Sequence, residues 1–447
     1  MLKRINLKEI SVDKVFLWGI LLIFAFFGSY LILRIKPDIG PDEEYHIKVS
    51  EFYSETFGIP NNSPDSYPYR DITRIPYLSF WINARLINLN FIGVQDYIIL
   101  RFFNLLTSLG SLIVIFLISK EIIRKKLLSV LPVFLLSNTL MFVFLSSVIS
   151  YDNLSNFFIF LSIYFFIKYL NKRNSSSILY IAIFQILALL TKFSISPVVL
   201  ATDLLLLSIL KKREIIMVAR DIFYRHRYLV ITTSVLFLLG TMLYGGNLIK
   251  YGELQVKCDS VLTHEQCMHS GLYVRAENTK REAFHTIEEF KHIMKSRLTP
   301  IEYLFDWVMT MFQRIYGIVG SKWLLMNPYL VNIYLTIFVF LALIVFKKWK
   351  SGDLLESSLL AISLFYIFIL LIYQNYRNYF FTGFFDRALQ GRYIFPVLPL
   401  LYIVFTKYLL KLRSRLLRVF LITILITLFT FGCIPYFLLF VSNSWFI

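Results

Sequence analysis

Apolar runs of roughly 20 residues recur from one end of this chain to the other, and that is the length a helix needs to cross a bilayer. Lipid offers no partners for open backbone groups, so spans of this kind are helices. The runs lie near Val15–Ile35, Tyr97–Ser119, Leu127–Ile149, Asn153–Leu170, Ile178–Leu190, Phe193–Leu210, Leu229–Tyr244, Tyr329–Phe346, Leu355–Tyr373, Tyr393–Leu409 and Val419–Val441. The reading is an all-α polytopic membrane protein with about eleven transmembrane helices. The fifth run is short, and Ile301–Asn327 is apolar enough to dip into the membrane. Hydrophobic residues make up 57% of the chain and charged residues 17%; a soluble protein carries about a quarter charged. The first run has a charged flank and no small-residue cleavage site, so it reads as an uncleaved span.

The formal net charge of +18 raises nucleic acid as a partner, but its distribution argues against that. Basic clusters recur between spans: Lys3, Arg4, Lys8 and Lys14; Arg124, Lys125 and Lys126; Lys168, Lys172 and Arg173; Lys211, Lys212 and Arg213 with Arg225 and Arg227; Lys347, Lys348 and Lys350; Lys407, Lys411, Arg413, Arg415 and Arg418. Placed on the cytoplasmic side, they meet the positive-inside rule at every alternate loop. Contact with anionic membrane lipids then accounts for the basicity. The amino terminus is expected in the cytoplasm and the carboxyl terminus outside, in the plasma (inner) membrane. One transmembrane domain covers 1–447, with two large outer segments, 36–96 and 245–327.

The first outer segment opens on Gly40-Pro41-Asp42-Glu43-Glu44-Tyr45-His46. Gly40 and Pro41 read as a helix start. Asp42, Glu43 and Glu44 then fall in the first turn, where the helix dipole favours negative charge. His46 follows Asp42 by four and Glu43 by three, so one face presents carboxylates and imidazole together. The same residues also fit an ordinary acidic helix start; their place at the exit of a span favours function. Interfacial helices are expected over Glu43–Phe57 and Tyr77–Leu89, separated by a turn-rich stretch beginning at Gly58. Arg101, early in the second span, is either a snorkelling anchor or a group facing a cavity.

Other outer positions carry polar groups. Asp152 in Ser150-Tyr151-Asp152-Asn153 reads first as a helix N-cap. It also returns a carboxylate to the side of Asp42 and Glu43, which allows a divalent-cation site or an acid/base pair. Lys192 either snorkels to water or faces an anion such as phosphate. Cys258 and Cys267 lie on the outer side, with His264 and His269 around Cys267; their spacing fits a loop-bracing disulfide or free thiols better than zinc. Arg314 lies inside an apolar helical stretch. Arg387 and Arg392, around a Gln390-Gly391 turn, suit a phosphate or serve as interfacial anchors.

Taken together, Pro41-Asp42-Glu43 with His46, Ser150-Tyr151-Asp152, Leu190-Thr191-Lys192, Phe312-Gln313-Arg314 with Gly317, and Gln390-Gly391-Arg392-Tyr393 with Pro396 and Pro399 resemble the GT-C superfamily of integral-membrane glycosyltransferases. Within it they are most similar to a family of multispanning proteins with a Pro-Asp-Glu motif in the first outer loop. Glu44 and Tyr45 depart from the small or Pro residues usual there, and 258–294 has no counterpart. The resemblance implies a polyprenyl-phosphate sugar donor and an extracytoplasmic acceptor, which is a cell-envelope glycan, a lipid-linked saccharide or a protein. It implies Asp42 as general base with Glu43 second, and Lys192, Arg314, Arg387 and Arg392 on the donor phosphate. A divalent cation, Mg2+ or Mn2+, would be held by Asp152 with Glu43 or His46. Two other functions fit the composition: a transporter or flippase of a lipid-linked saccharide, and a non-catalytic scaffold. Transporters place polar groups near the midplane on repeated broken helices; here they lie at the outer ends of spans.

Overall fold

The computed structural model describes residues 11–447 apart from 61, 62, 64, 65, 67–75, 211–219, 223, 270–272, 275, 279–285, 351 and 352. The expected basic residues Lys3, Arg4, Lys8, Lys211, Lys212 and Arg213 lie outside this set, as do Asn61, Asn62 and Pro64 of the expected turn and part of the charged stretch Ala276–Lys295.

Every expected span has a helix at its place. Among the described residues seven helices are long and apolar enough to cross a membrane: α1 (Val12–Arg34), α4 (Asp96–Ile122), α7 (Tyr151–Lys172), α10 (Arg227–Tyr251), α12 (Pro328–Lys348), α13 (Leu354–Thr382) and α15 (Arg415–Phe440). The apolar run after Arg124 is split into Lys126–Ser137, whose helix α5 is Leu131–Ser137, and α6 (Leu140–Ser146), bent by 73°. Counted as one span, this pair makes eight. The bend falls where Asn138 and Thr139 leave helical geometry and Thr139 Oγ1 returns to Leu135 O at 2.9 Å. The remaining three expected spans are apolar helices of 10–17 residues: α8 (Ser175–Thr191), Phe193–Ile209 with its helix α9 (Ser196–Ile209), and α14 (Leu398–Leu409). The protein is a multi-pass integral membrane protein.

Two interfacial helices, α2 (Glu43–Ser54) and α3 (Leu78–Asn88), pack on each other through Val49, Tyr53, Tyr77, Phe80 and Ala84. Leu190, at the end of α8, completes this small core, with Leu239 and Leu243 of α10 packed against it. A 17-residue helix, α11 (Pro300–Tyr316), begins with a capping box: Thr299 Oγ1 accepts from Glu302 N while Glu302 takes the Thr299 backbone N–H. It leads into a short antiparallel hairpin, β1 (Ile318–Val319) with β2 (Trp323–Leu324).

The segment from Ile35 to Pro41 is pinned on several sides. Lys36 N donates to Trp445 O at 3.0 Å, and Ile447 N to Arg34 O at 2.8 Å. Ser321 N donates to Ile39 O at 3.2 Å, and a Cβ on Gly320 would strike that same carbonyl. The end of α1 therefore enters the acidic motif along a fixed path.

Candidate active site

α2 begins at Glu43, two residues later than the Pro41 start read from the sequence, so Asp42 takes the N-cap position. Asp42 has φ 60°, in the left-handed region, which non-glycine residues seldom adopt and Asp tolerates better than most. This turn drives its two acidic residues apart. Glu43 points inward and is fully buried. Its Oε1 accepts from Arg101 Nε at 2.7 Å and from Ile149 N at 2.9 Å, and its Oε2 from Arg101 Nη2 at 2.9 Å. Arg101 also donates to the carbonyls of Ile32 (3.0 Å), Ile35 (2.7 Å) and Lys36 (3.0 Å), which close the end of α1. Arg101 thus ties α1, α2, α4 and the approach to α7 at one point. Gly40 is needed beside it: a Cβ there would sit 2.8 Å from Glu43 Oε2 and 2.9 Å from Val148 Cβ. Asp42, by contrast, turns outward with its side chain 60% exposed.

Asp152 comes from the first turn of α7. The N-cap is Ser150, whose Oγ accepts from Asp152 N at 3.1 Å. The carboxylate of Asp152, expected to cap the helix, is therefore available to other groups. Lys192, just past α8, donates to Asp152 Oδ1, and its Nζ lies 5.1 Å from the Tyr151 ring and 5.3 Å from the Tyr393 ring. It is a partly buried partner of Asp152, not a snorkelling anchor. Arg392 donates from Nη2 to Asp42 Oδ2 at 2.8 Å, while its Nε stands 3.7 Å from Asp152 Oδ2. Gly391 lets this loop press onto the end of α11, where a Cβ would collide with the Arg314 carbonyl. Tyr366 Oη donates to Tyr393 O at 2.7 Å and holds the next residue.

Two carboxylates and two cations from four distant stretches thus meet, and Asp42 is the most open of them. Burial pushes the Asp42 pKa up, but the Arg392 guanidinium outweighs it and holds the carboxyl below its ordinary value. His46 joins from the first turns of α2. It stacks on Phe80 at 5.6 Å and meets the edge of Tyr151 at 4.8 Å, and neither ring nitrogen has a hydrogen-bond partner among the described residues. Burial lowers its pKa to about 4, so it is neutral near pH 7.

The remaining candidates lie elsewhere. Glu43, expected as an alternative to His46 beside Asp152 on a cation, is spent on Arg101 and Ile149. Among the described residues no three His, Cys, Asp or Glu side chains are placed to hold a metal. Asp42 and Asp152 already have cationic partners, so the donor set does not fit a resident divalent cation. Arg314 anchors the last outer loop from behind, donating to Leu389 O and Asp386 Oδ1, with its guanidinium 5.3 Å from the Trp323 ring. Arg387 packs 4.3 Å from the Phe384 ring. Cys258 and Cys267 form a disulfide in a separate cluster with Tyr273, whose hydroxyl lies 2.9 Å from His264 Nδ1. Sequence reasoning missed two supports of the site. Asn104 Nδ2 donates to Val148 O at 2.6 Å, and Asn153 Nδ2 to Leu145 O at 2.7 Å. A buried Asn inside an apolar span was the available signal, since such a group needs a partner.

The fold is similar to that of polytopic membrane proteins of known structure. In the Archaeoglobus fulgidus oligosaccharyltransferase solved with zinc and sulfate, the match has a TM-score of 0.50 and 13% identity, covering 94% of this chain and 52% of that one. ArnT from Cupriavidus metallidurans, solved bound to undecaprenyl phosphate, matches with a TM-score of 0.49 and 14% identity, over 91% of this chain and 62% of that one. A family model for dolichyl-phosphate-mannose-protein mannosyltransferases matches residues 74–248. No curated protein matches the chain in sequence.

Proposed function

We propose that this chain is a membrane glycosyltransferase that moves a sugar from a polyprenyl-phosphate donor to an extracytoplasmic acceptor, with Asp42 as the general base. The observation that carries the reading is the meeting of Asp42, Arg392, Asp152 and Lys192 at one membrane face. The family model over residues 74–248 and the GT-C fold support it. In the reaction, the acceptor oxygen or nitrogen attacks the anomeric carbon of the donor sugar. The bond from that carbon to the phosphate oxygen breaks, its electron pair leaves on the phosphate, and the acceptor proton passes to the Asp42 carboxylate. A single displacement inverts the anomeric centre.

Arg392 and Lys192 stabilise the departing phosphate, in a site shielded enough for charge to count. Arg392 also links the two halves of the step. A phosphate that draws its guanidinium away from Asp42 removes the field that lowers the Asp42 pKa, and the carboxylate gains basicity when it has a proton to take. Asp152 holds Lys192 and Arg392 in place, and the Glu43–Arg101 pair aims Asp42.

The disulfide supports an extracytoplasmic site. It follows α10, whose end packs at the site's face: Tyr244 Oη donates to Leu189 O at 2.5 Å. Disulfides persist in oxidising compartments. The acceptor class is a cell-envelope glycan, a lipid-linked saccharide or a protein.

The test is transfer from radiolabelled polyprenyl-phosphate sugars, with several sugars in turn, in membranes carrying the wild-type chain or Asp42→Asn at equal abundance. Label passing to glycan or protein with wild type, and falling by about 10²- to 10⁴-fold with Asp42→Asn, is the expected result. Transfer that survives Asp42→Asn overturns Asp42 as the base; no transfer with any donor overturns the enzyme.

A further inference from the structure

The face of the membrane opposite the acidic site carries a second feature. Three apolar elements begin there and rise side by side: α1, the stretch Lys126–Ser137, and α15. Between them lies a cavity of about 570 Å3 bordered by Val15, Gly19, Leu127, Phe134, Ile422 and Ile426. Above it a second cavity, of about 320 Å3, shares Ile20, Ile23 and Phe134 with the first and reaches Phe27 and Thr430. The lining numbers climb together along all three elements, so the two cavities form one groove. From Val15 to Phe27 it follows α1 for about 18 Å, a little over half of the ~30 Å hydrocarbon core. The groove is open to the lipid side, where Val15, Phe16, Ile23 and Leu127 are exposed. Gly19 helps to make it, since a Cβ there would meet nothing within 4 Å.

The mouth of the groove is basic. Lys14 directly precedes Val15; Arg124, Lys125 and Lys126 directly precede Leu127; Arg413 and Arg415 stand at the start of α15. All six are exposed. The acidic group nearest in sequence, Asp13, is buried, 3.4 Å from Lys120, and does not cancel this collar. The N-terminal ends of the elements add the positive end of the helix dipole.

We propose that this groove is a binding site for one anionic phospholipid of the bilayer, with an acyl chain along α1 and its phosphate in the basic collar. An acyl chain matches the apolar walls and the one-leaflet length, and an anionic headgroup matches the collar. The donor's carrier lipid is the wrong occupant, because its phosphate belongs at the opposite end of α1, beside Asp42. The site is independent of the reaction proposed above.

The probe is native mass spectrometry of the delipidated full chain, titrated with equimolar phosphatidylglycerol and phosphatidylcholine of the same acyl chains. The wild type retains one phosphatidylglycerol with a preference of about tenfold over phosphatidylcholine, and the combined Lys14→Gln, Lys125→Gln and Lys126→Gln variant brings that preference to about twofold or less. Gly19→Trp fills the groove and loses both lipids. Equal retention of the two lipids by the wild type overturns the proposal, a result that needs no variant to fold. So does unchanged retention in Gly19→Trp, or displacement of phosphatidylglycerol by equimolar undecaprenyl phosphate.

Discussion

Glu43→Gln separates a carboxylate that positions from one that reacts. In the structure Glu43 accepts three hydrogen bonds, two from Arg101 and one from Ile149 N, and both side chains of the pair are fully buried. Gln keeps the volume but brings one acceptor and one donor. With its oxygen facing Arg101 Nε and Ile149 N, its amide N–H points at Arg101 Nη2; flipped, it faces two donors. Either way a donor meets a donor, and the buried guanidinium loses its only charged hydrogen-bond acceptor among the described residues. Breaking one side of a buried ion pair costs about 3–5 kcal/mol. Arg101 keeps the carbonyls of Ile32, Ile35 and Lys36, which places the loss toward the lower end, about 3 kcal/mol. Because the pair also sets the turn of Asp42, a displacement of about 1 Å lowers transfer by about 10²-fold. The assay is denaturant unfolding of the purified chain in detergent, with transfer measured on the same preparations. Arg101→Gln/Glu43→Gln, which removes both charges, is less destabilised than the sum of the single variants. The reasoning is refuted if Glu43→Gln unfolds like the wild type while transfer disappears, since that outcome makes Glu43 a reacting group.

Three further outcomes follow from the site. His46 has a folded pKa of about 4 against about 6.5 unfolded, so the unfolded state binds the extra proton; stability is complete above about pH 6.5 and falls by roughly 3 kcal/mol as pH drops towards 4. His46→Phe removes that part of the acid sensitivity, read from unfolding midpoints between pH 7 and 4, and an identical pH profile for the two chains contradicts it. Chelation by EDTA leaves transfer unchanged because Asp42 and Asp152 are already matched by Arg392 and Lys192; a loss restored by Mg2+ or Mn2+ contradicts this pairing. Cys267→Ser frees Cys258, which then reacts in intact cells with a membrane-impermeant maleimide, whereas labelling only after the membrane is opened places the site on the cytoplasmic side.

Much of the architecture is legible along the chain. A bilayer favours one length and one secondary structure for each apolar run, so seven or eight of the expected spans are helices long and apolar enough to cross among the described residues, and the other three fall on shorter apolar helices. The 73° bend was not legible, because Asn138 and Thr139 are polar residues that a straight span also tolerates. The candidate residues of the site were visible as polar groups at the ends of apolar runs, where their desolvation needs a reason. Their division of labour was not. Asp42 and Glu43 are neighbours of the same chemistry, and local sequence does not tell which one faces outward. The left-handed turn at Asp42 and the guanidinium of Arg101, 58 residues beyond Glu43, decide it. Arg314 and Arg392 likewise look alike as arginines near an outer loop. Arg314 is consumed by Leu389 O and Asp386, and Arg392 reaches Asp42 across 350 residues. The sequence by itself determined that the chain is a helical membrane protein with its acidic and basic groups at helix ends, since hydropathy and charge act residue by residue. Which carboxylate is open, which cation faces it and which pair is structural depends on long-range contacts that exist only once the helices pack, and the tertiary structure alone decided them.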